Sequence, residues 1–547
     1  MKIKLLLFSL FCLGIIQAQS EYYSYESLSK KVKDLESKHK NCKVKSIGKS
    51  SGGKDIWLIT LSSSEKTKPA LLITAGIDGK HQSGTLMSIK FIEQLLTDNS
   101  FSKVLEEKTL YFVPSVNPDA MATYFSKMKF EKSGNATVTD DDKDGELGED
   151  GFEDLNGDGY ISQMRVESVA GNYIESSDDN RILVKADQSK NQIGKYLLFT
   201  EGKDNDKDGE FNEDFSEGVN IDKNFTFDYP AFEKGAGNYA TSEPETKALL
   251  DFLYLNPQIY GVITFGMHNN LSEPPKFDSK SSSGRIIKGW MEKDVKAAEH
   301  VSKMYSQKAG LKDAPKMPMN KGNFAQTAYF HAGRFSFSTP GWWVPKEEIK
   351  KDSTTPKVEK PKKGEMNELL PELEYLKWAE KNEVKNVFLN WTEIKHPDFP
   401  NQKVEVGGFL PFVMHNPPAQ FLDESVNKHK LFLTELVNAM PKLETTQPLI
   451  EKLDGDVFRI TLKVANKGLL PTYTEIGDKI RFISRMKTEI KLNTNQSMLS
   501  GRKYFLRNTL QPDESEEYSW LIAGKGKVII TTGCATTGVK EISIDLK

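Results

Sequence analysis

Cysteine is nearly absent from this chain, with three in 547 residues, at positions 12, 42 and 534. Cys12 falls in the leader described below, so a disulfide scaffold is excluded and a single bridge between the distant Cys42 and Cys534 is the most that could form. An excess of charge of one sign is missing too. Lysine and arginine total 74 against 77 aspartates and glutamates, a formal net charge of -3. That balance argues against a dominant nucleic-acid surface or a polybasic membrane surface. The leader's apolar run is short. Lys2 and Lys4 precede it from Leu5 to Ile16, and Gln17-Ala18-Gln19-Ser20 supplies a small-residue exit. This reads as a cleavable secretory signal over residues 1–19, too short to anchor in a membrane. Phe11 before Cys12 rules out a lipobox. The expectation is an exported protein, periplasmic or extracellular, with no membrane span and no nucleic-acid partner.

The length implies two or more domains. Tyr25, Leu28, Val32 and Leu35 recur at helical spacing, and Cys42 to Ile47, Asp55 to Ser62, Lys68 to Ala75, Thr109 to Pro114 and Gly261 to Phe265 read as strands. Strands alternating with helical segments predict an α/β sandwich around a largely parallel or mixed sheet. Sites in such sheets collect at the carboxyl ends of strands. His81 and His268 both stand there. Between about 133 and 216 the pattern dissolves into Asp, Asn, Gly and Glu, and about 346–368 is a Lys, Pro, Thr and Glu stretch that reads as a mobile loop. A helix is expected from about Pro418 to Met440. From 445 to 547, alternating segments such as Val457 to Val464 and Lys527 to Thr532 predict an immunoglobulin-like β-sandwich.

Asp78-Gly79-Lys80-His81 follows the apolar run Pro69 to Ile77 and precedes a helical pattern through Leu86, Ile89, Phe91 and Ile92. A carboxylate and an imidazole three residues apart at a strand end can both point at one metal ion, and zinc suits that donor pair. The alternative is that Asp78 caps the following helix and His81 packs on its first turn.

Several blocks, in order, resemble the zinc carboxypeptidase family. Val116-Asn117-Pro118-Asp119 resembles the family's Val-Asn-Pro-Asp-Gly, with Ala120 replacing the glycine, and Gly218-Val219-Asn220-Ile221-Asp222-Lys223-Asn224-Phe225 resembles Gly-Val-Asp-Leu-Asn-Arg-Asn-Phe. Ser242-Glu243-Pro244-Glu245-Thr246 and Met267-His268 complete the set. The resemblance runs from about Ser24 to Leu443, so a carboxypeptidase-like domain is expected over 20–443. It implies zinc held by Asp78, His81 and His268, with the imidazole and carboxylate of the first pair exchanged in order. It implies a peptide or cell-wall peptide as substrate or ligand. Two departures stand out. Phe335-Ser336-Phe337-Ser338-Thr339-Pro340 places Pro340 where the family has its glutamate base, and no residue is assigned as its replacement; Glu273 is a conceivable one, or simply a solvated loop residue. Asp222-Lys223 replaces the Asn-Arg pair that would hold a substrate carboxylate, leaving charge without the bidentate fork.

Three acidic runs share an alternating pattern closed by glycine: Asp140, Asp142, Asp144; Asp154, Asn156, Asp158; and Asp204, Asp206, Asp208. Each matches the first half of a calcium loop but lacks the twelfth-position glutamate, where Gly151, Arg165 and Phe215 stand. Calcium is the expected ion. Three functions follow: a secreted zinc hydrolase of peptide or peptidoglycan-stem bonds, a catalytically silent relative that binds such fragments, or a calcium-stabilised surface adhesion protein.

Overall fold

The computed structural model describes residues 22–139, 151–205, 207, 209, 211–212, 218–346 and 370–547. The leader, Asp140, Asp142, Asp144, Asp206, Asp208 and nearly all of the loop expected at 346–368 therefore lie outside the described residues. No described helix is long and apolar enough to cross a membrane.

The strand Ala70–Ala75 is buried at all six positions, as its uninterrupted apolar run requires. It lies parallel to Thr109–Val113 on one side and Ile259–Phe265 on the other, and Phe335–Thr339 adds a fourth parallel strand. Cys42–Lys49 and Asp55–Leu61 extend the sheet antiparallel, giving a mixed six-stranded sheet. Successive side chains alternate faces. Leu71 and Ile73 therefore join a core beneath the helices Gln82–Thr97 and Asp423–Ala439, while Ala70 and Leu72 join a second with Leu249, Leu253 and Phe324. This is the α/β sandwich read from the sequence.

The acidic insertion is more structured than its composition suggested. Gln163–Glu167, Tyr173–Glu175, Leu183–Lys185 and Tyr196–Thr200 join Phe388–Ile394 and Val404–Phe409 in an antiparallel six-stranded sheet. Arg165 is its pin. Its Nε donates to Glu405 Oε2 at 2.8 Å, directly across the ladder, and its guanidinium lies 4.6 Å from the Trp391 ring and 4.7 Å from that of Tyr196.

Two further antiparallel sheets follow Leu443. Val457–Asn466 and Ser515–Ala523 head one, Met486–Lys491 and Gly526–Cys534 the other, and Phe458, Ile460, Trp520, Val528 and Ile530 fill the space between them. This sandwich is latched to the first unit by Asp294, whose carboxylate accepts from Glu475 N at 2.7 Å, Ile476 N at 3.0 Å and the Tyr329 hydroxyl at 2.8 Å.

Candidate functional site

Three parallel strands end side by side. Ala75 pairs with Phe265, and Phe265 with Thr339, so the segments that follow, Asp78 to His81, His268 and Pro340, gather at one edge of the sheet. Gly76 turns the chain at φ +58°, where a side chain would also meet Ser115 and Thr85. Gly79 has no room for a Cβ, which would lie 2.2 Å from both the Ala120 Cβ and the Lys132 carbonyl oxygen. The loop is therefore pressed against the helix that begins at Pro118.

His81 is the N-cap residue of Gln82–Thr97 and gives no side-chain cap. It is only 2% exposed. Its Nε2 lies 3.0 Å from the carbonyl oxygen of Pro340, so that nitrogen carries the proton and donates. The remaining lone pair is on Nδ1, which is buried without a partner among the described residues and faces Gly84 in the first helical turn, 2.9 Å from where a Cβ there would sit. Burial, with nearby His415 adding to it, lowers the imidazole to about 4, so His81 is neutral.

His268 is the opposite case. Its Nε2 donates to Asp222 Oδ2 at 2.8 Å and its Nδ1 to the Pro318 carbonyl at 3.2 Å. Burial alone would lower its pKa, but Asp222 and, more weakly, Asp78 overcome that and raise it. Both ring nitrogens face acceptors, as in an imidazolium. Asp222 Oδ1 accepts from Phe324 N at 3.0 Å, so both its oxygens are occupied. Asp78 keeps some exposure in its loop, yet its carboxyl is enclosed; desolvation, reinforced by the charge of Asp222, pushes it up to about 6 against the Lys80 amide at 2.9 Å.

The expected zinc ligands are thus near one another but not convergent. His81 turns its Nδ1 toward the first helical turn, and both ring nitrogens of His268 face oxygen acceptors. Among the described residues, no three His, Cys, Asp or Glu side chains form a group that could hold a metal. Asp222 faces His268, while Lys223 Nζ reaches the Lys234 carbonyl at 3.2 Å. Glu273 is an exposed loop residue.

The acidic runs engage their own backbone, in the part that is described. Asp154 Oδ1 accepts from Gly157 N and Asp158 N at 2.7 and 3.1 Å, and its Oδ2 from Gly159 N at 2.7 Å. Asn156 and Asp158 bond each other at 2.9 Å. Asp204 repeats the pattern, accepting from Lys207 N at 2.6 Å and Gly209 N at 3.2 Å. The backbone takes up these carboxylates as turn staples. Arg165, at the twelfth position of one run, is spent on Glu405.

A family model described as zinc carboxypeptidase matches residues 28–354. The chain belongs to the zinc carboxypeptidase family. That membership implies zinc and peptide substrates for the family at large. A second model, described as a domain of unknown function, matches residues 442–545. A zinc carboxypeptidase of Saccharothrix mutabilis subsp. capreolus is 25% identical over 113 residues, 19% of this chain and 26% of that protein. The matched stretch therefore spans about a quarter of that relative's length. Among solved structures, bovine thrombin-activatable fibrinolysis inhibitor in complex with tick carboxypeptidase inhibitor is similar at 13% identity, 58% of this chain, 85% of that chain and a TM-score of 0.36. Carboxypeptidase A from Helicoverpa armigera gives 13%, 58%, 64% and 0.38.

Two supports of this candidate site carry no role that the sequence alone assigns. Asn416 accepts from Ser83 N at 2.8 Å and donates to the Lys80 and Phe412 carbonyls at 2.7 and 2.8 Å, tying the 78–83 segment to a loop more than 300 residues later. His429, buried in the helix Asp423–Ala439, lies 3.0 Å from the Tyr305 hydroxyl, which also meets Thr339 Oγ1 at 2.9 Å, just before Pro340. Burial lowers His429 to about 4. Because its folded value lies below the ordinary 6.5, the unfolded chain binds its proton more readily between pH 6.5 and 4, and stability falls as pH drops through that window. The stability advantage of the native chain over a His429→Gln variant, read from urea unfolding, should shrink by up to about 3 kcal/mol from pH 6.5 to pH 4.

Proposed function

We propose that this chain is a catalytically silent member of the zinc carboxypeptidase family that binds peptides, including cell-wall peptide stems, beside the altered site. The observation that carries the reading is the engagement of both histidines by the protein's own oxygens, Pro340 on His81 and Asp222 on His268. With Pro340 in place of the family's glutamate, neither a metal-activated water nor a general base is provided for.

A cavity of about 530 Å³ supports the binding half of the reading. It lies between the 78–81 loop and the inserted sheet, and Lys80, Glu131, Tyr173, Arg181, Phe388 and Phe409 are among its lining residues. Lys80 and Glu131 pair at 3.5 Å. Charges of both signs around an aromatic floor suit a short zwitterionic peptide with apolar side chains. The same reading takes the chain to be exported, on the strength of Lys2, Lys4 and the apolar run to Ile16, and takes residues 445–547 to be an immunoglobulin-like module behind the domain at 20–443.

Calorimetric titration with a tripeptide carrying a free C-terminal carboxylate tests both halves. Saturable binding unchanged by a chelator, with no product on prolonged incubation, is expected. Chelator-sensitive hydrolysis overturns the silent reading, and failure of tripeptides and peptidoglycan stem peptides alike to bind overturns the peptide reading.

A further inference from the structure

The terminal sandwich presents one edge that differs from its neighbours. The strand Tyr504–Arg507 closes one side of its sheet and, among the described residues, pairs only with Met486–Lys491. In an antiparallel ladder, residues alternate between those that bond the neighbouring strand and those whose N–H and C=O point away from it. Ile490 N donates to the Lys503 carbonyl at 3.0 Å, which sets the phase. Residues 503, 505 and 507 bond inward, so Tyr504 and Leu506 direct their amide groups to the open edge. Their side chains are 51% and 52% exposed.

A groove of about 510 Å³ is lined by Arg502, Tyr504, Phe505, Leu506 and Arg507. Consecutive side chains of a strand point to opposite faces. A groove that touches 504, 505, 506 and 507 in succession therefore runs along the edge, where another strand would lie. Exposed edges are ordinarily blunted by mid-strand charge, a bulge or a cover. Gly538–Leu546 carries exposed Lys540 and Glu541, and Ser497–Ser500 is interrupted between Met498 and Ser500. The edge at 504–506 has an aromatic and an aliphatic residue at its centre and cations at its ends.

We propose that this edge accepts an extended, acidic segment of a partner protein as an added strand. The partner's chemistry follows from the charges around the groove. Lys487 sits 5.3 Å from the Tyr504 ring and is neutralised by Glu489 at 2.8 Å, and Arg507 by Glu516 at 3.0 Å. Arg502 makes no ion pair among the described residues, and Lys503 adds a second charge beside it. A second copy of the chain, paired edge to edge, would bring a second set of Arg502 and Lys503 charges to the same edge. An acidic strand satisfies both the open amides and the charge.

The probe is a capped eight-residue peptide of alternating Glu and Val with a fluorophore, titrated into the full chain at low salt and followed by anisotropy. Saturable binding is expected, absent for the matching Lys and Val peptide and weakened about tenfold or more by Leu506→Pro, which removes one outward donor and no ladder bond. Arg502→Glu should weaken it by a similar factor, and it leaves the peptide cleft near Lys80 untouched, so this test and that of the silent-enzyme reading fail independently. No saturable binding, or binding that neither substitution reduces, overturns the proposal. So does concentration-dependent self-association abolished by Leu506→Pro, which would assign the edge to a second copy.

Discussion

Replacing Asp222 with alanine lowers the stability of the chain by about 3–5 kcal/mol, the usual cost of stripping one partner from a buried charged pair. Asp222 and His268 are 6% and 4% exposed, so water cannot stand in for the lost carboxylate, and the amide of Phe324 loses its acceptor at the same time. The pH dependence follows from His268, whose folded pKa is raised above its ordinary 6.5. The contribution of the pair is complete below pH 6.5 and fades as the pH climbs through the folded value. Chemical denaturation of the native chain and Asp222→Ala at pH 6 and pH 9 reads this directly. A gap that widens with pH would contradict the assignment of His268 as an imidazolium. Asp222→Asn keeps an acceptor for Phe324 and should cost less.

Loss of the Asp294 carboxylate is the second large effect. Asp294→Ala leaves three donors, the amides of Glu475 and Ile476 and the Tyr329 hydroxyl, without this acceptor, and a cost of about 3 kcal/mol follows from the orphaned groups together. Because the donors come from both units, the latch between them should loosen first. Hydrogen exchange at Glu475 and Ile476 is expected to accelerate in the variant well beyond that of the Ala70–Ala75 strand. Equal acceleration throughout would mean that the two units unfold as one and that no separate latch exists.

Much of the fold could be read because its signals are local. Ala70 to Ala75 is an unbroken apolar run and became a fully buried parallel strand; Leu28, Val32 and Leu35 kept their helical spacing and their burial. Family motifs in order carried the sheet edge where Asp78, His81 and His268 stand. The inserted sheet was hidden for a physical reason. Its strands from 163 to 200 are three to five residues long and half exposed, and the strand that pairs with Gln163–Glu167, Val404–Phe409, lies more than 200 residues further on. Asp154 and Asp204 each accept from several backbone amides, a role that the alternating pattern of carboxylates does not announce.

The site itself was half legible. The replacement of the family's glutamate by Pro340 was visible, but not that its carbonyl would hold His81. The replacement of an asparagine by Asp222 was visible too, and was read as a change to the substrate clamp. A partnership between Asp222 and His268, 46 residues apart, belongs to neither motif. The available signal was chemical: a new acid in a motif that the fold brings beside a histidine offers that histidine a carboxylate partner.

Zinc content is the most direct test of the proposal that this site is catalytically silent. The full chain, equilibrated with zinc and dialysed against metal-free buffer, is analysed by elemental mass spectrometry beside a His268→Ala variant. The account predicts far less than one zinc per chain in both proteins. One zinc per native chain, lost in His268→Ala, would contradict it.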